Sequence, residues 1–485
     1  MKIYQIVASL NFGDAIGNDV VAKKHVIEDM GIETEIYAAG IAAKVTEPGA
    51  YLLDNMPKVN EDDIVIYHMG NGSPVNHMVT ELNCRKIMVY HNITPYEFFG
   101  IDNISSSENC RIGIEDMKNH MKGKFDSYIA DSEFNKSDMV KMGYNESLID
   151  VIPVIVPFDD YKQEPDPDMV QKLSDGITNI IFVGRIAPNK KQEDIIRTFA
   201  YYKENVNPSS RLILVGSHDA NGMYYPDLIS YTEELGVSDV IFPGHITFAE
   251  ILAIYKTAHV FLCMSEHEGF CVPLLEAMTF DVPVIAYNAC AVPETIGGSG
   301  VVVDSKNPVF LSKVIDEVVN NAEMRSMITE AQRRRLEDFR YEKIKDDFQK
   351  YLRKFMEDFP PRSEGNGGDS YDKIYDITEN NMKNAGKAME FSRNALHSYA
   401  ERTAETADIT ALINSGCSVR EFIETAFITF FGILPSDKDY EFWENEEKLG
   451  GRTAFMKKLI EYACSSQDRI NKGIRIKYNP FVRNL

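Results

Sequence analysis

Three stretches of the chain place charged residues and glycines at the ends of apolar runs, and each suits a ligand that carries phosphate. The first is VGRIAPNKK, where the run Ile180 to Val183 ends in Gly184 and is followed by Arg185 and Lys190. Open parallel sheets bind ligands beyond the carboxyl ends of their strands, so both cations would project into such a crevice. Arginine grips phosphate bidentately, whereas lysine acts as a point charge. Two solvated cations on an ordinary strand-loop-helix connection would show the same spacing.

The second is EHEGFCVPLLEAM, with Glu268 and Glu276 separated by seven residues. Pro273 suits a first helical turn, which puts Glu276 about one turn in and Glu268 in the loop before it. Gly269, Phe270 and Cys271 would then bring backbone N–H groups to a ligand at the helix start. One carboxylate near a diphosphate and another a turn away suit hydroxyl groups on both sides of it, which describes a nucleotide sugar. The plain alternative is Glu276 complementing the helix dipole and Glu268 as a loop surface charge. The third stretch is VYHNITPYEFF, where His91 follows the run Lys86 to Tyr90 and would face the same crevice from the opposite side. His68, ending DIVIYH, is a weaker candidate of the same kind.

Holding these groups requires strand ends, and the chain supplies them. With 485 residues, 44% apolar and 26% charged, it has the size and composition of a soluble protein with several packed domains. From Met1 to Val156 short apolar runs (IYQIVA, EIYAA, DIVIYH, KIMVYH, SYIAD, IDVIPV) alternate with helical stretches. Such nearly continuous runs predict a parallel sheet covered on both faces. PFDDYKQEPDPD, residues 157–168, reads as a polar linker, after which the alternation restarts (NIIFVG, RLILVG, DVIFPG, HVFLCM, VPVIAY, GVVVD) in a second domain, 169–340. The fold class is therefore α/β, with two doubly wound Rossmann-like domains facing a cleft. A helix over 341–359 closes this part, and PPRSEGNGGDS reads as a flexible linker. Residues 371–485 show no parallel-strand pattern and are expected to form an all-α appendage. Its aromatic stripe is Phe422, Ile423, Ala426, Phe427, Phe430 and Phe431, with Gly432 ending the helix and Trp443 as the single tryptophan.

The formal charge is 51 − 74 = −23, which argues against a broad nucleic-acid footprint. The last stretch, from Arg469, is basic and could rest on an anionic membrane surface or be solvated. The seven cysteines are scattered without a C-x-x-C pair and read as reduced, ordinary residues of a cytoplasmic protein. The N-terminal run is too short and weakly charged for a signal sequence, and no apolar stretch is long enough to span a bilayer.

The domain order, VGRIAPNKK, the Glu268 and Glu276 pair and DVPVIAYNACAVPETIGGSGVVVD together resemble the retaining nucleotide-sugar glycosyltransferases of family 4, which have the GT-B fold. The likeness runs over about residues 1 to 357. It implies that Arg185 and Lys190 hold the donor diphosphate, that Glu276 binds the nucleotide ribose and that Glu268 contacts the donor sugar. The His91 loop matches the position beside the reacting centre, and ADSEFNKSDMVKMGY around Ser132 the family's late strand-to-helix junction. Where the family commonly has a Gly-Gly pair in its first loop, this chain has NFGDAIGND. Gly13 and Gly17 still permit close backbone approach to phosphate or acceptor, with Asp14 as a candidate contact for acceptor hydroxyls.

The resemblance further implies front-face transfer with retention, no cofactor and no metal. The D-x-D strings, Asp166 to Asp168 and Asp437 to Asp439, fall in the linker and the appendage. The implied partners are a nucleoside-diphosphate sugar and a glycan or lipid-linked glycan acceptor of bacterial surface polysaccharide, with work at the inner membrane face. SVREFIETAFITFFGILPSDKDYEFW is similar to a short helical repeat module of unknown function attached to some bacterial glycosyltransferases and surface proteins. Two other readings stand beside the transferase: a non-catalytic glycan- or nucleotide-binding scaffold, and a sugar-nucleotide isomerase on a similar fold. A dinucleotide oxidoreductase is disfavoured because no G-x-G-x-x-G follows the first strand.

Overall fold

The computed structural model describes residues 1–361 except 12, 101, 102, 221 and 245. Beyond them it describes 406–408, 418–431, 435, 440, 442–444, 452, 455, 458, 459 and 475–477. The first seven strands are β1 (Ile3–Leu10), β2 (Thr34–Ile41), β3 (Ala50–Leu52), β4 (Ile64–Met69), β5 (Arg85–Tyr90), β6 (Ser127–Ala130) and β7 (Ile149–Val151). They form one parallel sheet in the order β3-β2-β1-β4-β5-β6-β7. Every residue of β4, β5 and β6 is buried, as expected of central strands covered by helices on both faces. Of these strands only β3 went unread in the sequence, because its apolar run is very short and its residues are largely exposed.

The second sheet contains β8 (Thr178–Val183), β9 (Ser210–Val215), β10 (Val240–Ile241), β11 (Val260–Cys263), β12 (Val284–Tyr287) and β13 (Val301–Val303). Its order, β10-β9-β8-β11-β12-β13, is again parallel throughout. In both sheets the order reverses beside the first strand of the domain (β1 and β8), the point where open α/β sheets form a ligand crevice.

The helix Tyr341–Asp358 crosses back to the first domain. Its Ile344, Phe348, Leu352 and Phe355 are buried against Ile3, Val26, Ile64 and Ile87, and the Tyr351 hydroxyl donates to Ser127 Oγ at 2.8 Å. Burial of about four such side chains at 1.5–3 kcal/mol each anchors it there.

In the appendage, the helix Val419–Phe431 buries Phe422, Ile423, Ala426 and Phe427, and the Trp443 ring lies 4.9 Å from Phe455. The appendage is not all-α: Thr406–Asp408 pairs in parallel with Arg475–Lys477. Three-residue strands nearly seventy positions apart leave no periodic signal. Gly432, most of PPRSEGNGGDS, Asp437 to Asp439 and most of the basic end from Arg469 lie outside the described residues.

Candidate functional site

At the end of β8, Gly184 adopts a positive φ of 152°. A Cβ at Gly216, at the end of β9, would stand 1.9 Å from the Gly184 carbonyl oxygen, so the two loops can lie together only with glycine at 216. Beyond them Arg185 is exposed, its guanidinium 5.8 Å from the Phe99 ring of the first domain. It lines an interdomain cleft with Asn103 from one side and His218 and Tyr225 from the other, and Asn103 Nδ2 donates to Asp219 Oδ2 at 2.6 Å. Lys190 turns elsewhere. Its ammonium lies 2.6 Å from Glu268 Oε2, with the two side chains 19% and 7% exposed. Burial opposes the lysine's charge, but Glu268 together with Cys271 and Cys263 holds the ammonium above its usual range. The two cations expected to grip one diphosphate are thus placed differently: Arg185 is open to the cleft, while Lys190 is tied to a carboxylate.

The helix Val272–Thr279 begins with Pro273 in its first turn. Glu276 lies on it with both carboxylate oxygens engaged, accepting from the Tyr161 hydroxyl at 2.7 Å and the Tyr255 hydroxyl at 2.6 Å. Burial raises the Glu276 carboxyl above the ordinary range, partly offset by the two tyrosines. Tyr161 belongs to the segment read as a polar linker. That reading needs correction, because Tyr161 is buried beneath the second domain and Asp166 caps the helix Pro167–Leu173.

The loop before that helix is where the domains meet. Ser132 caps the helix Glu133–Lys141 and its hydroxyl donates to the Gly269 carbonyl at 2.7 Å. A Cβ on Gly269 would lie 2.5 Å from Asn92 Cβ and 3.0 Å from the His91 carbonyl oxygen. The Phe270 ring does not face the cleft: it is buried with its centroid 5.5 Å from Phe339, so its apolar surface is spent in the core. Cys271 holds a left-handed φ of 72°, uncommon without glycine. Its Sγ, Cys263 Sγ and a Glu268 oxygen all lie within 4.8 Å of one another.

His91 was expected to present its ring to the crevice. Only its backbone does so. The side chain is 2% exposed and turned inward, with Nδ1 2.8 Å from Asp131 Oδ2 and Nε2 2.9 Å from His68 Nδ1. His68 Nε2 in turn lies 3.0 Å from Gln5 Oε1. Burial, with His91 and Lys23 nearby, holds His68 well below the usual imidazole range. Lys23 forms a fully buried ion pair with Asp19, which also accepts from the Ile155 N–H at 2.9 Å.

In the first loop Asp14 is the N-cap of the helix Ala15–Asp29, and its carboxylate accepts from the Gly17 N–H at 2.5 Å. It is therefore a capping residue rather than a free contact for acceptor hydroxyls. Gly17 has no room for a Cβ, which would meet the Asn11 carbonyl at 2.4 Å, whereas Gly13 is needed for its φ of 77°.

Sequence reasoning missed Asp19, Lys23 and Asp131, which surround the histidines, and Tyr161 and Tyr255, which hold Glu276. Asp19 and Lys23 sit four apart on one helix, a spacing that signals an ion pair but not its burial. Asp131 closes an apolar run just as His91 does, and that shared position beyond adjacent strands was the available signal.

Residues 169–335 match the family model described as glycosyl transferases group 1. O-antigen chain mannosyltransferase B of Escherichia coli is 24% identical over 31% of this chain and 39% of that protein. A D-inositol 3-phosphate glycosyltransferase of Salinispora tropica is 27% identical over 35% and 36%. The chain thus spans well under half the length of these curated relatives. Among solved structures, Anabaena HepE in complex with UDP and glucose superposes with a TM-score of 0.59 at 17% identity, covering 73% of this chain and all of that one. WaaG, a glycosyltransferase involved in lipopolysaccharide biosynthesis, gives 0.56 at 14% over 72% and 99%. The shared architecture is the GT-B fold.

Proposed function

We propose that this GT-B chain, whose second domain carries the glycosyl transferases group 1 match, moves a sugar from a nucleoside-diphosphate donor to an acceptor hydroxyl. The observation that supports the reading is that Arg185 opens on the interdomain cleft, while the Lys190 and Glu268 pair and Glu276 lie on the segments that follow β8 and β11. Arg185 meets the diphosphate, the loop at Glu268 the sugar, and Glu276 the ribose. Ribose hydroxyls would share or displace the tyrosine hydroxyls now on Glu276, and the donor would enter between Glu268 and Lys190.

The transfer is of a hexosyl group with retention. The acceptor oxygen attacks from the face the diphosphate leaves, the bond from the anomeric carbon to the diphosphate oxygen breaks, and the diphosphate takes the acceptor's proton. The protein contributes orientation and neutralises charge growing on the leaving group. His91, enclosed by His68 and Asp131, stiffens the backbone next to Gly269 rather than touching substrate. The E. coli and HepE likenesses support a polysaccharide or surface-glycan acceptor and a nucleotide donor. No helix among the described residues is long and apolar enough to cross a membrane. A lipid-linked acceptor would put the protein in the cytoplasm, in peripheral contact with the membrane that carries it.

The test is thermal stability with UDP, GDP, ADP, CMP and NAD in turn, beside Glu276→Ala. Binding at a hundred times the dissociation constant adds about 2.7 kcal/mol. A shift with one nucleoside diphosphate that the variant loses supports the site and names the base; no shift with any moves the reading to a non-catalytic scaffold.

A further inference from the structure

Cys263 ends β11 and Cys271 precedes the helix Val272–Thr279, eight positions later. The loop between them folds back so that the two thiol sulfurs and a Glu268 oxygen lie within 4.8 Å of one another, with all three residues buried. Cys271 holds a left-handed backbone there, φ 72°, a conformation uncommon without glycine.

From this geometry we propose that Cys263, Cys271 and Glu268 form a binding site for a thiophilic divalent metal ion of the zinc class. Two thiolates and a carboxylate are a donor set that such ions take at about 2.0–2.3 Å, leaving a fourth position for water. Small side-chain movements bring atoms already within 4.8 Å to the separations of a tetrahedral site. Charge closes as well. A divalent ion, two thiolates, the Glu268 carboxylate and the Lys190 ammonium sum to zero, with two protons released from the thiols to solvent. The entry path runs along Lys190, whose side chain is 19% exposed. An ion seated there draws Glu268 away from Lys190. Resting on the transferase reading above, this makes the site inhibitory: the metal competes for the carboxylate assigned to the donor sugar.

The experiment is titration of the reduced, full-length protein with Cd²⁺, read by the near-ultraviolet absorbance of cadmium-thiolate bonds and by proton release in weak buffer. A saturable step with two protons released per ion is expected. Cys263→Ser and Cys271→Ser should each lose that step, while Cys84→Ser and Cys110→Ser keep it. Glu268→Gln leaves both thiols and should weaken binding without abolishing the absorbance, which guards against misreading a variant that fails to fold. A step that survives in both Cys263→Ser and Cys271→Ser, or no saturable step in the unmodified protein, overturns the proposal. The absorbance does not depend on any nucleotide, so this site and the transferase reading fail separately.

Discussion

His68 Nδ1 and His91 Nε2 lie 2.9 Å apart in the buried floor of the first domain, and their outer nitrogens settle how many protons they share. Gln5 uses its amide nitrogen on the Val20 carbonyl, so its oxygen accepts from His68 Nε2–H; Asp131 accepts from His91 Nδ1–H. The central bond needs one further hydrogen, carried by one of the two facing nitrogens. Burial, with His91 and Lys23 nearby, disfavours the charged form of His68.

Replacing His68 by Phe therefore removes the partner of His91 Nε2 and a donor from Gln5. Each orphaned group costs about 1–3 kcal/mol, so the variant should melt clearly below the unmodified protein. The pH dependence has a definite sign. Unfolded His68 takes a proton near pH 6.5 while the folded form resists it, so the unfolded state binds more protons and stability falls as pH drops below about 6.5. His68→Gln should lose less stability than the unmodified protein between about pH 6.5 and 5.5. Equal losses, measured by denaturant unfolding, would show that His68 titrates freely.

Glu276 works in the opposite direction. Its folded carboxyl is raised above the unfolded value near 4.5, so the stability it permits is fully present below that value and is lost as pH rises through the folded pKa. Glu276→Gln keeps partners for Tyr161 and Tyr255 without a buried charge. Relative to the unmodified protein it should gain stability as pH rises above about 4.5, while losing any nucleotide-induced shift. A variant whose stability tracks the unmodified protein at every pH would mean that the carboxylate is well solvated.

The parallel sheets were legible because strands such as Ile64–Met69 and Ile180–Val183 are buried on both faces and so write continuous apolar runs. Positions beyond strand ends were legible for the same reason, which is how Arg185, Glu268 and His91 were found. Side-chain direction was not. A histidine after a strand reads alike whether its ring meets the cleft or, as here, a buried carboxylate supplied from residue 131. Tyr161 was hidden by composition, since one tyrosine among aspartates, lysine and prolines gives no sign that it will sit under Glu276. Phe270 was hidden by its neighbours, because Gly269 touches the other domain while the next ring turns into the core.

Gly269 has no freedom to accept a side chain. A Cβ there would press on Asn92 and the His91 carbonyl, and a backbone neighbour cannot rotate away. Gly269→Ala should therefore cost about 1–3 kcal/mol through overpacking and separate the domains locally. Ser132→Ala, which removes one hydrogen bond to Gly269, should cost about 1 kcal/mol. Thermal melting of the two variants would give the order; if Gly269→Ala melts like the unmodified protein, the loop is not pinned between domains.

Arg185 and Lys190 should separate under mutation because one is open and the other is bonded. Arg185 is exposed and makes its contact across the cleft with Phe99, so Arg185→Ala removes little that folding depends on. If it meets the leaving diphosphate, turnover should fall on the order of 100-fold to 1000-fold at nearly unchanged melting temperature. Lys190→Ala strands the Glu268 carboxylate, which is 7% exposed, without its cation. Breaking a buried pair from one side costs about 3–5 kcal/mol, so this variant should lose stability as well as turnover. Lys190→Ala combined with Glu268→Gln should recover much of the stability and none of the activity. Paired melting and turnover measurements decide the matter: a stable, inactive Lys190→Ala would show that Glu268 has enough water or other donors to stand alone, and a destabilised Arg185→Ala would make the arginine a structural clamp between the domains.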